Sequence, residues 1–428
     1  MNVFAGYRCG RCGWEAGPQP EEGPDARYAC GDCGGEDLDV VIAADPGCRA
    51  IVEASRDPSL WRYHPLLPVP VPDADRGPLR SLGLTPLHAA PGAAQRLSGG
   101  GEVWIKDDGA LPTGSLKDRA SAIVAQRAGA IGAPAIITAS TGNAGVAIAA
   151  MGRAAGLDTL VLVPESAPPA KIAQLLVFGA ELYLVRGSYD DAFALSREAA
   201  LSMGLYCRNT AMNPFTVEGK KTVAFEICEQ LTVALGPTAS GHWQVPDRIY
   251  VSVGDGNIIS GVHKGLKDLL ALGFIAHLPR LIGVQAAGSA AIAQAFDAKS
   301  DTITPVHAST IADSIAADRP ADGRRALAAV NETGGVYLTV SDEAILAAIP
   351  ALGRDAAVFG EPAAAAAYAG FLQQAEAGAI PAGERVVVLN TGNGLKDVQA
   401  AARAVSGAVT IDPSPSALRR AMEGKERR

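Results

Sequence analysis

The sequence predicts an α/β protein made of two units, each a parallel sheet covered by helices, with a small cysteine-rich segment in front. Three observations carry that expectation. From Lys117 onward, short apolar runs rich in Val and Ile alternate with helical stretches, the pattern of βαβ crossovers. Glycine is abundant at 48 residues while aromatics are 5%, a composition that lets helices pack closely on a parallel sheet. Hydrophobic residues make up 48% and charged residues 19% of the 428, so sizeable cores form without disulfides, and the length argues for two or three domains.

The formal charge of −8 argues against broad binding to nucleic acid or anionic membranes. No apolar run approaches the roughly 20 residues that span a bilayer. The start, Met1-Asn2-Val3-Phe4, carries no basic segment followed by an apolar core, so a cytoplasmic protein is expected.

Taken in order, residues 7–35 read as a zinc ribbon within a first segment, 1–48. Cys9-x-x-Cys12 and Cys30-x-x-Cys33 are separated by 17 residues, each pair followed by a glycine (Gly13, Gly34). Two tight knuckles of that kind can aim four thiolates at one tetrahedral zinc. Redox dithiols or reduced thiols in a small core are the alternatives. Cys48, Cys207 and Cys228 stand singly and read as small buried hydrophobes. Residues 49–84, with many prolines, read as a connecting arm. A large unit follows over 85–123 and 235–412, interrupted by a small, mobile one over 124–234. The tail 413–428 is polar and expected to fray.

Within these units, strands are expected at 103–106, 135–139, 159–163, 181–185, 249–253, 281–284 and 386–389. Helices are expected at 121–128, 144–155, 170–178, 190–202, 218–231 and 258–272. Ligands of open parallel sheets sit outside the carboxyl ends of the strands, so the loops after strands matter most.

The stretch Pro112-Thr113-Gly114-Ser115-Leu116-Lys117-Asp118-Arg119 sets a lysine behind a turn and a capping-type Ser115 at a helix start, where the dipole disfavours its protonated form. An amine kept partly neutral can attack a carbonyl and form a Schiff base. Ser140-Thr141-Gly142-Asn143 offers free backbone N–H groups and an amide, suited to a carboxylate or phenolate oxygen. Gly254-Asp255-Gly256-Asn257 can cup one phosphate, with the Asp255 carboxylate turned outward or toward substrate. It matches neither the P-loop nor the dinucleotide fingerprint. Thr391, in Asn390-Thr391-Gly392-Asn393-Gly394-Leu395-Lys396-Asp397, can hydrogen-bond a ring nitrogen without fully protonating it.

Together these segments resemble the fold type II (tryptophan-synthase-β-like) pyridoxal-phosphate enzymes, and among them the threonine synthases and their paralogs. Further carriers are Asn213-Pro214, Glu218-Gly219-Lys220-Lys221-Thr222 and Glu361-Pro362, in family order from about Thr85 to Lys396. The resemblance implies a fold type II architecture, a homodimer and a small amino-acid substrate. It implies Lys117 as the Schiff-base lysine, Asn143 on the cofactor's ring hydroxyl oxygen and Thr391 at the pyridine nitrogen. Gly254, Asp255, Gly256 and Asn257 line the phosphate loop, and Ser140, Thr141 and Gly142 take the substrate carboxylate.

The departures are specific. Ala211 and Thr216 stand where threonine synthases carry a serine and an arginine for the phosphate of O-phosphohomoserine, and Asp255 replaces an asparagine. They predict weakened binding of that substrate, which Lys171, Arg208 or Lys220 can compensate. Cysteate-synthase-like β-replacement, a threonine or serine ammonia-lyase reaction, and a zinc-ribbon scaffold without turnover are the alternatives.

Overall fold

A computed structural model describes residues 3–18, 27–405 and 407–425, with side chains of 424 and 425 excluded. Part of the expected ribbon (19–26) and the end of the polar tail (426–428) lie outside the described residues. Runs such as Arg385–Asn390 are apolar at consecutive positions, so they must be covered on both faces, and in this chain they lie in the centre of a sheet.

The first segment is a three-stranded antiparallel sheet in which β1 (Phe4–Cys9) pairs with β2 (Glu15–Ala16) and β3 (Leu38–Ile42). Then come β4 (Leu87–Ala89) and β5 (Glu102–Asp107) of a six-stranded sheet. The chain next builds a four-stranded parallel sheet from β6 (Ile136–Ala139), β7 (Thr159–Pro164), β8 (Glu181–Val185) and β9 (Tyr206–Cys207), ordered β8-β7-β6-β9. It returns with β10 (Arg248–Ser252), β11 (Arg280–Ala286), β12 (Val336–Val340) and β13 (Arg385–Asn390), giving the order β12-β11-β10-β13-β5-β4. All pairings in this larger sheet are parallel except β4 against β5. Because β10, β13 and β5 are neighbours, the three loops that leave their carboxyl ends lie side by side.

Several elements differ from the sequence expectation. Two strands go beyond the sequence expectation: β9, only two residues long, and β12, whose run Val336–Val340 follows a helix and a Gly-Gly turn. The helix expected over 218–231 is two helices, Phe215–Lys220 and Thr222–Leu235. The tail is not frayed throughout: Pro415–Lys425 is helical. The proline-rich arm buries Leu60, Trp61, Tyr63 and Leu66 completely or nearly so, and the Trp61 indole N–H donates to the Leu79 carbonyl at 2.7 Å.

The first segment is docked on both sheets. Lys264 Nζ donates to the Val40 carbonyl at 2.6 Å, and Arg325 donates to Asp39 at 2.9 Å and to the Leu38 carbonyl at 3.1 Å. On the other side the Cys207 N–H, in β9, donates to the Tyr28 hydroxyl at 2.7 Å.

Beneath the loops lies a closed network of buried charges. Arg119 forks onto Asp108 at 2.7 and 2.8 Å and reaches Glu226 at 2.7 Å. Lys106 donates to Glu226 at 2.6 Å, to the Thr85 carbonyl at 2.7 Å and to Gln230 at 2.8 Å. Two cations meet two carboxylates, so burial leaves no charge unpaired. Removing one member strands the others, and Arg119→Met is expected to destabilise the fold by about 3–5 kcal/mol in urea denaturation. A loss below about 1 kcal/mol would contradict this role for the network.

Candidate active site

The turn that presents Lys117 is held from within and from across the sheet. Asp118 accepts from the Thr113 N–H at 2.7 Å and from its hydroxyl at 2.5 Å, and Gly114 takes a φ of 75° that favours glycine. The Leu116 N–H donates to the Thr391 carbonyl at 2.9 Å, and the Asn393 N–H to the Gly114 carbonyl at 2.9 Å. The Glu361 N–H donates to the Gly392 carbonyl at 3.0 Å. The segments around Lys117, Thr391 and Glu361 are thus stitched together by backbone bonds. The expected Ser115 cap is absent: Leu116 occupies the N-cap position, and the buried Ser115 hydroxyl has no hydrogen-bond partner among the described residues.

Lys117 opens the helix Lys117–Ala130, half-buried, and no hydrogen bond engages its Nζ among the described residues. Its pKa is pushed down to about 8, chiefly by burial and next by the Arg208 charge, while Asp255 and Glu361 oppose the shift.

Glu361 is a site residue that the sequence marked only as half of a Glu-Pro pair. It is buried, accepts from Asn143 Nδ2 at 2.7 Å, and has its pKa raised to about 7, with burial the largest cause. Thr391 is buried beside it, and its hydroxyl makes no hydrogen bond among the described residues.

The loop after β10 is shaped by packing. A Cβ on Gly254 would stand 2.7 Å from Ile315 Cα, and one on Gly256 (φ 92°) would stand 2.7 Å from Ala326 Cβ. Asp255 between them is exposed, in keeping with a carboxylate turned outward. Asn257 opens the helix Asn257–Ala271 and acts as a hub. Its Oδ1 accepts from Lys220 and lies 3.3 Å from the Thr216 hydroxyl, and its Nδ2 donates to Asp322 at 2.8 Å. Arg325 in turn donates to Asp322 at 2.5 Å.

Ser140, Thr141 and Gly142 leave β6 half-buried, and a Cβ on Gly142 would meet nothing within 4 Å. Arg208, just past β9, is fully buried; it donates to Thr210 at 2.8 Å and to Ser121 at 3.3 Å. Ala211 in the same turn has a φ of 67°, unusual for a residue with a side chain. Lys171 is not drawn into this buried group. It forms an exposed ion pair at 2.5 Å with Asp313, next to Ser314, which lies 3.4 Å from Asn143.

Apart from this site, Cys9, Cys12, Cys30 and Cys33 bring their sulfurs within 4.8 Å of one another. The Cys9–Cys33 and Cys12–Cys30 separations are 3.7 and 3.6 Å. Tetrahedral thiolates about 2.3 Å from a zinc ion stand about 3.8 Å apart, so the spacing suits that ion. The Arg11 and Asp32 N–H groups each point at a cysteine sulfur at 3.4 Å, forming the two knuckles.

A lysine, a hydroxyl loop and an amide loop thus stand at the carboxyl ends of adjacent parallel strands. The family described as pyridoxal-phosphate dependent enzyme matches residues 79–392, and the chain belongs to it. Within that family it is threonine-synthase-like. It is 36% identical to the threonine synthase of Methanocaldococcus jannaschii over 97% of this chain and 99% of the relative. It is 38% identical to that of Synechocystis over 84% of this chain and 88% of the relative. Among solved structures, threonine deaminase isoform 2 of Solanum lycopersicum aligns with a TM-score of 0.60 at 20% identity, covering 79% of this chain and 82% of that one. A fungal L-serine ammonia-lyase from Rhizomucor miehei aligns at 0.61 and 22%, covering 73% and 94%. These two share the fold type II architecture. No helix among the described residues is long and apolar enough to cross a membrane.

The depressed amine has a measurable consequence in cofactor-free protein. Between about 8 and 10.5 the unfolded chain binds the Lys117 proton more readily than the folded one, so this residue makes stability rise with pH in that window. Lys117→Met is therefore expected to raise the melting midpoint at pH 7, with the gain closing as pH passes through that window. A gain independent of pH would show that the amine is not held down.

Proposed function

We propose that this chain converts an amino acid with an anionic leaving group on its side chain, by elimination or replacement of the threonine-synthase kind. The observation that carries this reading is Lys117 Nζ: half-buried, unbonded and pushed down to about 8 among the three loops. Relatives named threonine synthase that match nearly end to end support it.

The residues present fit pyridoxal phosphate. Among the described residues neither the Thr391 hydroxyl nor the buried Ser115 hydroxyl makes a hydrogen bond, and the helix Asn257–Ala271 opens with its first N–H groups at the Gly254–Asn257 loop. Lys117 would hold the carbonyl carbon, Asn143 the ring hydroxyl oxygen, and Gly254, Asp255, Gly256 and Asn257 the phosphate. When bound, the cofactor supplies an electrophilic carbon and a ring that delocalises the electron pair left at Cα.

Everything else in the step falls to the chain. Ser140, Thr141 and Gly142 orient the substrate carboxylate, leaving the Cα proton within reach of Lys117. Near neutral pH part of the Lys117 population is neutral and can take that proton. Glu361, with its pKa near 7, steadies the Asn143 amide and can hold a proton beside it. Thr391 is neutral, so the ring nitrogen meets a hydroxyl rather than a carboxylate; this weaker sink favours elimination and replacement over transamination. Lys171, already paired with Asp313, stays at the rim as a residue that a substrate could recruit.

The test is a panel of O-phosphohomoserine, O-phosphoserine, threonine and serine, assayed for phosphate, ammonia and keto acid. Phosphate release with an amino acid as the organic product is expected. Ammonia and keto acid from threonine or serine, without turnover of either phosphate ester, would contradict the reading and favour an ammonia-lyase. We also propose that Cys9, Cys12, Cys30 and Cys33 hold one structural zinc. Metal analysis should find one zinc per chain, and Cys12→Ser should lower both the zinc content and the melting midpoint; zinc-free protein of unchanged stability would refute this.

A further inference from the structure

A short relay of side chains ties the four-cysteine cluster to the phosphate loop. The second knuckle ends at Cys33, shortly before β3 begins at Leu38. The Gly10 N–H of the first knuckle donates to the Asp37 carbonyl at 2.8 Å, and Cys9 is paired with Leu38 in the β1–β3 ladder. Where the sulfurs stand therefore decides where Leu38 and Asp39 stand. These are the residues that Arg325 grips: Nη1 donates to the Leu38 carbonyl at 3.1 Å and to Asp39 at 2.9 Å. The other arm of the guanidinium, Nε, donates to Asp322 at 2.5 Å.

Asp322 meets the phosphate loop at three points. Its buried carboxylate accepts from Asn257 Nδ2 at 2.8 Å, and its N–H donates to the Asp255 carbonyl at 2.9 Å. Its own carbonyl oxygen would stand 2.9 Å from a Cβ placed on Gly256. A planar guanidinium with a fixed fork of donors carries geometry from one carboxylate to the other, which a single ammonium does not. Beside this relay the seam between the first segment and the helix Gly323–Glu332 holds a cavity of about 250 Å³ lined by Gly10, Asp37, Arg324 and Asn331. Polar bonds rather than close packing therefore carry the contact there. Elsewhere Phe4 and Tyr7 rest on Phe215, with ring centres 5.4 and 6.3 Å away, an apolar anchor for β1 that is independent of the sulfurs.

We propose that Arg325 is a positioning residue for the phosphate loop, and that it makes metal occupancy of the Cys9, Cys12, Cys30 and Cys33 cluster and affinity for the cofactor depend on each other. The inference goes beyond the function and the structural zinc proposed above and rests on both. With zinc bound, the knuckles hold the start of β3, β3 holds Arg325, and Arg325 holds Asp322 against the loop. With zinc removed, the apolar anchor keeps β1 docked, but Leu38 and Asp39 lose their fixed end and Arg325 can turn with them. The loop is then less preorganised for a phosphate, and affinity falls. The coupling is reciprocal, so a cofactor seated in the loop tightens the metal site by the same factor. The cysteine-rich segment thereby acts as a metal-responsive control on how much of the enzyme carries its cofactor.

Pyridoxal phosphate is titrated into zinc-loaded and chelator-treated wild type, Arg325→Met and Asp39→Ala, with the visible absorbance of the bound cofactor as the readout. Zinc removal is expected to weaken binding by wild type at least about fivefold. Arg325→Met is expected to bind more weakly from the start, and equally within about twofold with and without zinc. Asp39→Ala should show a ratio between the two. A residue that only stabilises the fold would lower affinity in both states and leave the wild-type ratio intact; that result in both variants would overturn the proposal. Zinc-free wild type that binds the cofactor within about twofold of the zinc-loaded form would also overturn it. The reverse measurement needs no stable zinc-free protein: a chromogenic chelator should withdraw zinc less readily, by the same factor, from cofactor-loaded than from cofactor-free wild type. Equal zinc affinity in the two would contradict the proposal. If Arg325→Met does not fold, Arg325→Lys keeps the charge without the fork and should show the reduced ratio; an unreduced one would count against the relay. Failure of the underlying readings looks different. Zinc-loaded wild type that takes up no cofactor would sink the function proposed above, and protein that binds no zinc would sink the metal site, each taking this proposal with it.

Discussion

The guanidinium of Arg119 is the joint on which the site rests. It lies in the first turn of the helix that Lys117 opens, and its fork ties that turn to Asp108, just beyond β5, and to Glu226 in the helix Thr222–Leu235. Lys106 closes the ring from within β5. Two cations and two carboxylates share so many hydrogen bonds that no donor of Arg119 or Lys106 is stranded. Such a network contributes geometry more than stability, since a well-packed apolar replacement of all members could be as stable. What it does here is tie the first turn of the Lys117 helix to β5 and to the helix Thr222–Leu235.

The same region explains a sequence motif in physical terms. A Cβ on Gly219 would stand 2.1 Å from the Arg119 carbonyl oxygen, so only glycine lets the helix Phe215–Lys220 lie against the helix of Lys117. Its neighbour Glu218 is buried between Lys221 and Lys264. Lys220, one residue on, reaches the Asn257 hub, whose support runs through Asp322 and Arg325 to Asp39 in β3. The cysteine-rich segment therefore buttresses the phosphate loop on one side and, through Tyr28 and Cys207, the residue before Arg208 on the other.

Much of this was legible in the sequence because it depends on local pattern. Apolar runs gave the central strands, and strand-end loops pointed to Lys117, Asn143, Asn257 and Thr391. Other features depend on what long-range packing brings together. Ser115 reads as a helix cap but stays unbonded, because Asp118 takes over the turn. Glu361 gains its raised pKa from burial, which no neighbouring residue in sequence announces. Lys171 looked equivalent to Arg208 as a cation near the substrate, yet one sits in an exposed ion pair and the other is buried without one. Nothing in the sequence around Arg208 or Lys220 separates them from Lys171, since Asn209, Thr210, Glu218 and Lys221 make both segments polar.

The claim at the centre of this account is that Lys117, and no other buried amine, engages the cofactor. Lys220 is its direct competitor, since its amine is fully buried and held below the ordinary range by burial and by the Lys117 charge. Borohydride reduction of the cofactor-loaded protein followed by peptide mass mapping decides between them. The account predicts a pyridoxyl adduct on the peptide containing Lys117; an adduct on Lys220, or none on either, would contradict it.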